Sequence, residues 1–161
     1  MNKIIIFGNS GSGKSTMAKH YADKYQLTHL DLDTIAWQDT NPPTRKPTIE
    51  SQKAIEQFCK DNETWIIEGC YSDLLNLACK QAAQMIFLNP GIETCIENCK
   101  NRPWEPHKYA SIEEQNKNLS MLINWVKDYY IRTDDFSFAS HDLLFKGFKG
   151  NKEQFSTNQK L

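Results

Sequence analysis

Long apolar runs, a dominant charge and arginine are all scarce in this chain, and each shortage removes a class of function. Its apolar runs, such as Ile4 to Phe7 and Trp65 to Ile67, fall far short of the ~20 residues that a membrane-spanning helix needs, so no membrane role is expected. Nineteen basic residues stand against 20 acidic ones, a net charge of -1, and no overall field draws the chain to nucleic acid or to a lipid surface. A nucleic acid end kinase would need a basic stripe that is not there. The five cysteines are odd in number and scattered, so no disulfide framework is read. Cys95 and Cys99, four apart, share a helix face, but no His or Cys pair at ligand spacing completes a zinc site. With no secretory leader recognised, buried, unreactive thiols and a cytoplasmic setting are expected.

What is present reads as one α/β domain over residues 1–161, without internal repeats or low-complexity blocks. Lys3 to Phe7 is a β-branched and aromatic run ended by glycine, the mark of a central strand buried on both faces of a parallel sheet. Met17, Ala18, Tyr21, Ala22 and Tyr25 then recur at helical spacing, as on a helix packed against that sheet. Thr28 to Leu32, Thr64 to Ile67 and Gln84 to Leu88 are further strands, and the alternation implies βαβ units. The proline-rich Asn41 to Pro47 excludes regular structure, while Ile49 to Cys59 is helical; together they form an insertion over about residues 34–63. Ile92 to Lys100 is helical, Arg102 to Pro106 breaks the chain, and Ile112 to Ile131 reads as one long helix with Leu119, Leu122, Ile123, Val126 and Tyr130 on one side. A short helix near Phe138 to Phe145 and an edge strand near Glu153 to Ser156 complete the expectation.

Gly8-Asn9-Ser10-Gly11-Ser12-Gly13-Lys14-Ser15 fits G-x-x-x-x-G-K-[ST] at every fixed position and lies between a buried strand and a helix, where a phosphate-binding loop belongs. Its glycines let successive N-H groups turn toward phosphates, and the helix N-terminus adds partial positive charge. Gly8, Ser10, Gly11, Ser12, Gly13, Lys14 and Ser15 are the expected contacts of a nucleoside triphosphate, with Thr16 following as early-helix packing at the edge of the same site. Lys14 supplies a cation for the β- and γ-phosphates, and the Ser15 hydroxyl is placed to ligate Mg²⁺. A mere strand-to-helix turn would leave the Lys-Ser pair unexplained.

In Leu30-Asp31-Leu32-Asp33, alternation along an extended segment points both carboxylates to one side, at the sheet edge where the phosphate loop emerges. One acid suits metal-bound water and the other suits taking a proton from an attacking hydroxyl; the alternative is a helix cap near Thr34. Glu68 ends a strand before Gly69 and is a further metal-side acid, unless it is a solvated loop carboxylate. Tyr71 lies beside the same tip as an acceptor-site candidate. The arginines are only Arg45, Arg102 and Arg132. Arg45 suits the acceptor, Arg102 suits closure over the nucleotide, and Arg132 either relieves a helix dipole or acts in the site. Trp104, His107, Lys108 and Tyr109 follow Arg102 and are suited to covering a purine or acceptor; Trp37, Trp65 and Trp125 read as core or rim packing.

The phosphate loop, the LDLD segment, the WIIEG strand tip and the Asn101-Arg102-Pro103 segment, in this order, resemble the shikimate kinase, adenylate kinase and gluconate kinase group. The His29-Leu30-Asp31 and Trp65 to Tyr71 segments are similar to those of the bacterial adenylate kinase-related or topology-modulation proteins. The resemblance covers about residues 1–132. It implies a three-layer P-loop sandwich with a five-stranded parallel sheet of order 2-3-1-4-5, an acceptor-binding insertion and a lid over about residues 102–115. It also implies an adenine-flanking Arg102-Pro103, an acceptor-binding Asp33 and a metal-side Asp31. The chain departs from shikimate kinases, which carry a glycine run where Glu68 to Tyr71 stand, and its arginine-poor lid bears on turnover. The expectation is an ATP- and Mg²⁺-dependent phosphotransferase acting on a small metabolite or nucleotide, with Lys14, Asp33 and Arg102 in catalysis, Asp33, Arg45 and Tyr71 on the acceptor, and Ser15, Asp31 and Glu68 on the metal. A nucleotide-responsive regulatory protein with little turnover is the rival, and neither reading names the acceptor or the oligomeric state.

Overall fold

Ile4, Ile5, Ile6 and Phe7 alternate between two cores, and that alternation explains the architecture seen in the computed structural model, which describes residues 2–160. They form strand β1 (Lys3–Gly8), followed by α1 (Lys14–Tyr25), β2 (Thr28–Asp31), α2 (Asp33–Ala36), α3 (Thr48–Asp61) and β3 (Trp65–Gly69). The chain continues through α4 (Ser72–Cys79), β4 (Gln84–Leu88), α5 (Ile92–Lys100), α6 (Ile112–Lys117), α7 (Leu119–Lys127), a 3-10 turn (Asp128–Tyr130), α8 (Phe138–Gly147) and β5 (Asn151–Phe155). The sheet order is β2-β3-β1-β4-β5, with every pairing parallel, as the resemblance implied.

On one face Ile5, Phe7, Trp65, Ile67, Met85 and Phe87 pack against Ile55 of α3, Leu74 and Ala78 of α4, and Phe148 after α8. On the other, Ile4, Ile6, Ile66 and Ile86 pack against Met17 and Ala18 of α1. A third cluster of Cys95, Cys99 and Val126 joins α5 to α7. Each strand thus presents alternate residues to helices on both sides, and the carboxyl ends of β1, β2 and β3 are left together at one edge.

Several expectations need correction. The helix expected over 112–131 is broken, because Asn118 turns its N-H back to the Gln115 carbonyl and a 3-10 turn replaces the last α-turn. Tyr130 is therefore 46 % exposed instead of packed, and Tyr25 at the end of α1 is 49 % exposed. Strand β2 stops at Asp31, and Asp33 opens α2, so the two acids do not share an extended segment. The helix α4 was not foreseen and α2 only as the alternative reading near Thr34, whereas α8 and β5 lie close to where they were expected. The five cysteines are free, with Cys59, Cys95 and Cys99 buried and Cys70 and Cys79 partly so.

His141 of α8, fully buried, ties that helix to the site edge. Its Nε2 lies 2.8 Å from the Cys70 carbonyl oxygen and its Nδ1 2.8 Å from the Tyr129 hydroxyl, so Nε2-H donates to the carbonyl and Nδ1 accepts from the phenol. Burial lowers its pKa to about 4. Because the folded value lies below the ordinary 6.5, the unfolded chain binds the proton more readily between the two; this contribution is fully present above about pH 6.5 and lost as the pH falls toward 4. Full protonation costs about 3 kcal/mol by that linkage. Urea midpoints measured from pH 7.5 to pH 4.5 should fall more steeply for the wild type than for His141→Gln; equal slopes would remove His141 as the cause.

Candidate functional site

The loop between β1 and α1 is built on left-handed glycines. Gly11 has φ 75° and Gly13, which precedes the first turn of α1, has φ 93°. A Cβ on Gly11 would stand 2.3 Å from the Cys95 carbonyl oxygen and 2.6 Å from Cys99 Sγ, so α5 sits directly against the loop. Asn98 Nδ2 donates to the Gly11 carbonyl at 2.8 Å, and Asn9 Nδ2 donates to the Val126 carbonyl at 3.2 Å, fixing the loop from two helices. Lys14 Nζ donates to the Asn9 carbonyl at 2.8 Å, folded across the loop it serves. Thr16, expected to pack in the early helix, is solvent-exposed, because the apolar face of α1 begins at Met17 and Ala18.

Ser15 Oγ donates to Glu68 Oε1 at 2.6 Å. Glu68 is 1 % exposed, so it is not a solvated loop acid. It lies in register with Asp31 on the neighbouring strand, and His29 Nε2 stands 3.6 Å from Oε1. Asp31 Oδ1 accepts from the Asp33 N-H at 2.9 Å, a local turn that stands in place of the aspartate cap considered near Thr34, since α2 has no side-chain cap, while its Oδ2 lies 3.2 Å from Lys108 Nζ. Burial, with Glu68 and then Asp33 nearby, raises the Asp31 pKa. Among the described residues no group of three or more His, Cys, Asp or Glu is poised to hold a metal unaided. Ser15, Asp31 and Glu68 instead offer a hydroxyl and two carboxylates next to the phosphate loop. That all-oxygen set fits a hard cation such as Mg²⁺ that takes its remaining oxygens from phosphate and water.

Asp33 is held from two sides: Tyr71 Oη donates to its Oδ1, and Lys108 Nζ donates to its Oδ2 at 2.7 Å. Burial works against its charge, but the Lys108 ammonium, helped by Tyr71 and by the field of Lys14, outweighs it and keeps the carboxyl below its ordinary value. Lys108 is likewise held protonated, since Asp33 and Asp31 outweigh its burial. Trp37 Nε1 donates to Tyr71 Oη at 2.7 Å, completing a relay from the insertion to Asp33. Tyr71 itself remains a neutral donor, its pKa raised by burial and by its neighbours Cys70 and Asp33.

Lys14, Ser15, Asp31, Asp33, Glu68 and Tyr71 are therefore brought together. Arg45 adjoins them through Tyr71, its guanidinium 4.8 Å from that ring, while its Nη2 binds Asp73 at 3.0 Å. Arg102 does not reach the acids: it pairs with Glu105 at 3.1 Å, and Glu105 in turn lies 3.5 Å from Lys108. Arg132 neither caps a helix nor enters the site. It stacks on Trp125 at 3.2 Å and pairs with Asp134 at 2.9 Å. Trp65 is fully buried and Trp37 and Trp125 are rim residues, as expected. Sequence reasoning gave Lys108 only a covering role and Trp37 no chemistry, and it did not single out Asp73. The connection carrying Lys108 is braced by buried Gln115, which accepts from the Glu105 N-H at 2.9 Å and donates to the Pro103 carbonyl at 3.1 Å.

A family model described as AAA domain matches residues 4–119, from the first strand into the start of α7. The chain belongs to that family. Two curated proteins similar to this AAA domain chain are shikimate kinases from two strains of Staphylococcus epidermidis, each 24% identical over 153 residues, with 86% of this chain and 85% of theirs covered. Among solved structures, an unliganded sugar kinase from a Janibacter species shares the fold, with a TM-score of 0.52 at 12% identity, covering 96% of this chain and 85% of that one. The kinship read from the phosphate loop and strand tips, with the P-loop small-molecule kinase group, is met by these relatives. No helix among the described residues is long and apolar enough to cross a membrane.

Proposed function

We propose that this chain is a Mg²⁺- and ATP-dependent phosphotransferase acting on a small metabolite. The observation that carries this reading is Asp33: a carboxylate kept ionised by Lys108 and Tyr71, at the sheet edge next to a phosphate loop whose Lys14 is electrostatically felt there. Such a group can take the proton of an acceptor hydroxyl as its oxygen forms a bond to the γ-phosphorus and the bond to the ADP oxygen breaks. Gly8 to Ser15, with Ser10, Ser12 and the first turn of α1, would cradle the phosphates, and Lys14 would follow the charge that develops on them. Ser15, Asp31 and Glu68 would hold Mg²⁺, which when bound neutralises phosphate charge. Arg45 and Tyr71 would border the acceptor, residues 34–63 would form its insertion, and residues 102–115, with Arg102 and Lys108, would act as a lid in a cytoplasmic protein.

Glu68→Gln tests the metal side. Removing the charge that faces Ser15 should raise the Mg²⁺ concentration needed for half-maximal ATP binding by about tenfold, the usual scale for a disturbed metal-site partner. An unchanged Mg²⁺ titration would take Glu68 out of the metal site. The activity itself is tested by incubating the protein with γ-labelled ATP and shikimate, gluconate, hexoses, nucleosides or nucleoside monophosphates, and finding the label in one acceptor.

One observation favours a second reading, a nucleotide-responsive protein with little turnover. The cations that should stabilise developing charge are already engaged, Arg102 by Glu105 and Lys108 by Asp31 and Asp33. Tight ATP binding with label released to no acceptor would select it.

A further inference from the structure

We infer that the acceptor is a neutral, hydroxyl-rich compound of the sugar or polyol type, not a carboxylate or phosphate ester. This deepens the phosphotransferase reading and rests on it. The inference comes from where the positive charge around Asp33 is spent.

An anionic acceptor needs a free cation in its pocket. On the insertion side, the one arginine is Arg45, and Asp73 of α4 holds it at 3.0 Å. Its flat faces are also in use: the guanidinium lies 4.8 Å from the Tyr71 ring and 5.6 Å from Phe136. Asp73 cannot easily surrender this partner, because its second oxygen, Oδ1, is already buried without a hydrogen bond. Taking Arg45 away would leave a half-buried carboxylate, one oxygen of which is shut off from solvent, without a partner. On the far side of Phe136 the arrangement repeats, with Arg132 stacked on Trp125 and paired to Asp134 at 2.9 Å. Lys108 is shared among Asp31, Asp33 and Glu105. Among the described residues, the cations shown beside Asp33 or its partner Tyr71 outside the phosphate loop, Lys108 and Arg45, are thus matched by carboxylates, and an incoming anion would meet those carboxylates as like charges.

A hydroxyl meets the same wall differently. Arg45 Nε is a buried donor without a partner, and Asp73 Oδ1 is a buried acceptor without one. A hydroxyl both accepts and donates, so it can lie beside the Arg45–Asp73 pair without opposing either charge, whereas a carboxylate opposes Asp73. Trp37, 38 % exposed and hydrogen-bonded to Tyr71, adds an apolar face for the C-H side of a ring.

The test reads binding before turnover. With the phosphate loop filled by a non-hydrolysable MgATP analogue, calorimetry compares glucose with gluconate, sorbitol with glucarate, and adenosine with AMP; the same pairs are then offered with ATP. Binding or transfer favouring the neutral member of a pair by tenfold or more supports the inference, and any lesser preference, or one for the anion, overturns it. If the wild type takes no member of any pair, Asp73→Asn decides: with Arg45 unmatched it should gain measurable gluconate or glucarate binding, and no gain overturns the inference. The Asp73 side chain is 24 % exposed, so the substitution is expected to fold, and Asp73→Ser gives the same reading if it does not. Failure to bind the MgATP analogue would instead sink the phosphotransferase reading, and it is seen in the first titration.

Discussion

Asp33→Asn should lower kcat by about a thousandfold, within the usual range for a lost general base, while the affinity for MgATP stays within about twofold of wild type. The amide is isosteric and still accepts from Tyr71 Oη through its oxygen, so the packing around α2 is kept. What it loses is the charge that pairs with Lys108 at 2.7 Å and the lone pair able to take a proton. Steady-state kinetics beside equilibrium ATP titration separate the two effects. An equal loss in both would move Asp33 from the acceptor to the metal, and an unchanged kcat would leave the proton without an identified acceptor.

Lys14→Ala should weaken ATP binding by roughly a hundredfold, on the scale of about 3 kcal/mol for losing a charge-assisted contact. Melting of the free protein should hardly change, because Lys14 Nζ bonds only the Asn9 carbonyl, within the loop it belongs to, and no core residue depends on it. The stabilisation that ATP confers on the wild type should therefore vanish in the variant while the baseline melting temperature stays in place. A variant that still shifts on adding ATP would mean that the backbone amides alone bind the phosphates. This substitution speaks to nucleotide binding and not to transfer, which is why Asp33→Asn is needed beside it.

Much of this was legible because it depends on local pattern. The β1 run of isoleucines could only be a central strand, and the glycine spacing before Lys14 required left-handed backbone, which Gly11 and Gly13 adopt. Glu68 and Asp31 were placed by their strand ends, and parallel pairing put them opposite one another. The same reasoning failed where tertiary partners decide. Alternation predicts one extended segment for Asp31 and Asp33, yet Asp33 opens a helix; the two acids still converge because Lys108, 75 residues later, draws on both. Nothing in the irregular stretch after Arg102 marked Lys108 above its neighbours, and its role follows from the brace that Gln115 supplies. Arg102 carried the clearer signal and proved to be tied to Glu105. The engagement of Arg45 by Asp73 joins residues 28 apart on separate elements, which no periodicity reports.

The stoichiometry of ATP consumption tests the central claim most directly. The protein is incubated with MgATP and a desalted extract of small metabolites, and ADP, free phosphate and new phosphomonoester are counted together. The account predicts that ADP formation depends on the extract, that each ADP is matched by one phosphomonoester, and that Asp33→Asn abolishes the match. ADP matched instead by free phosphate, or ATP bound and left intact whatever is added, would contradict it.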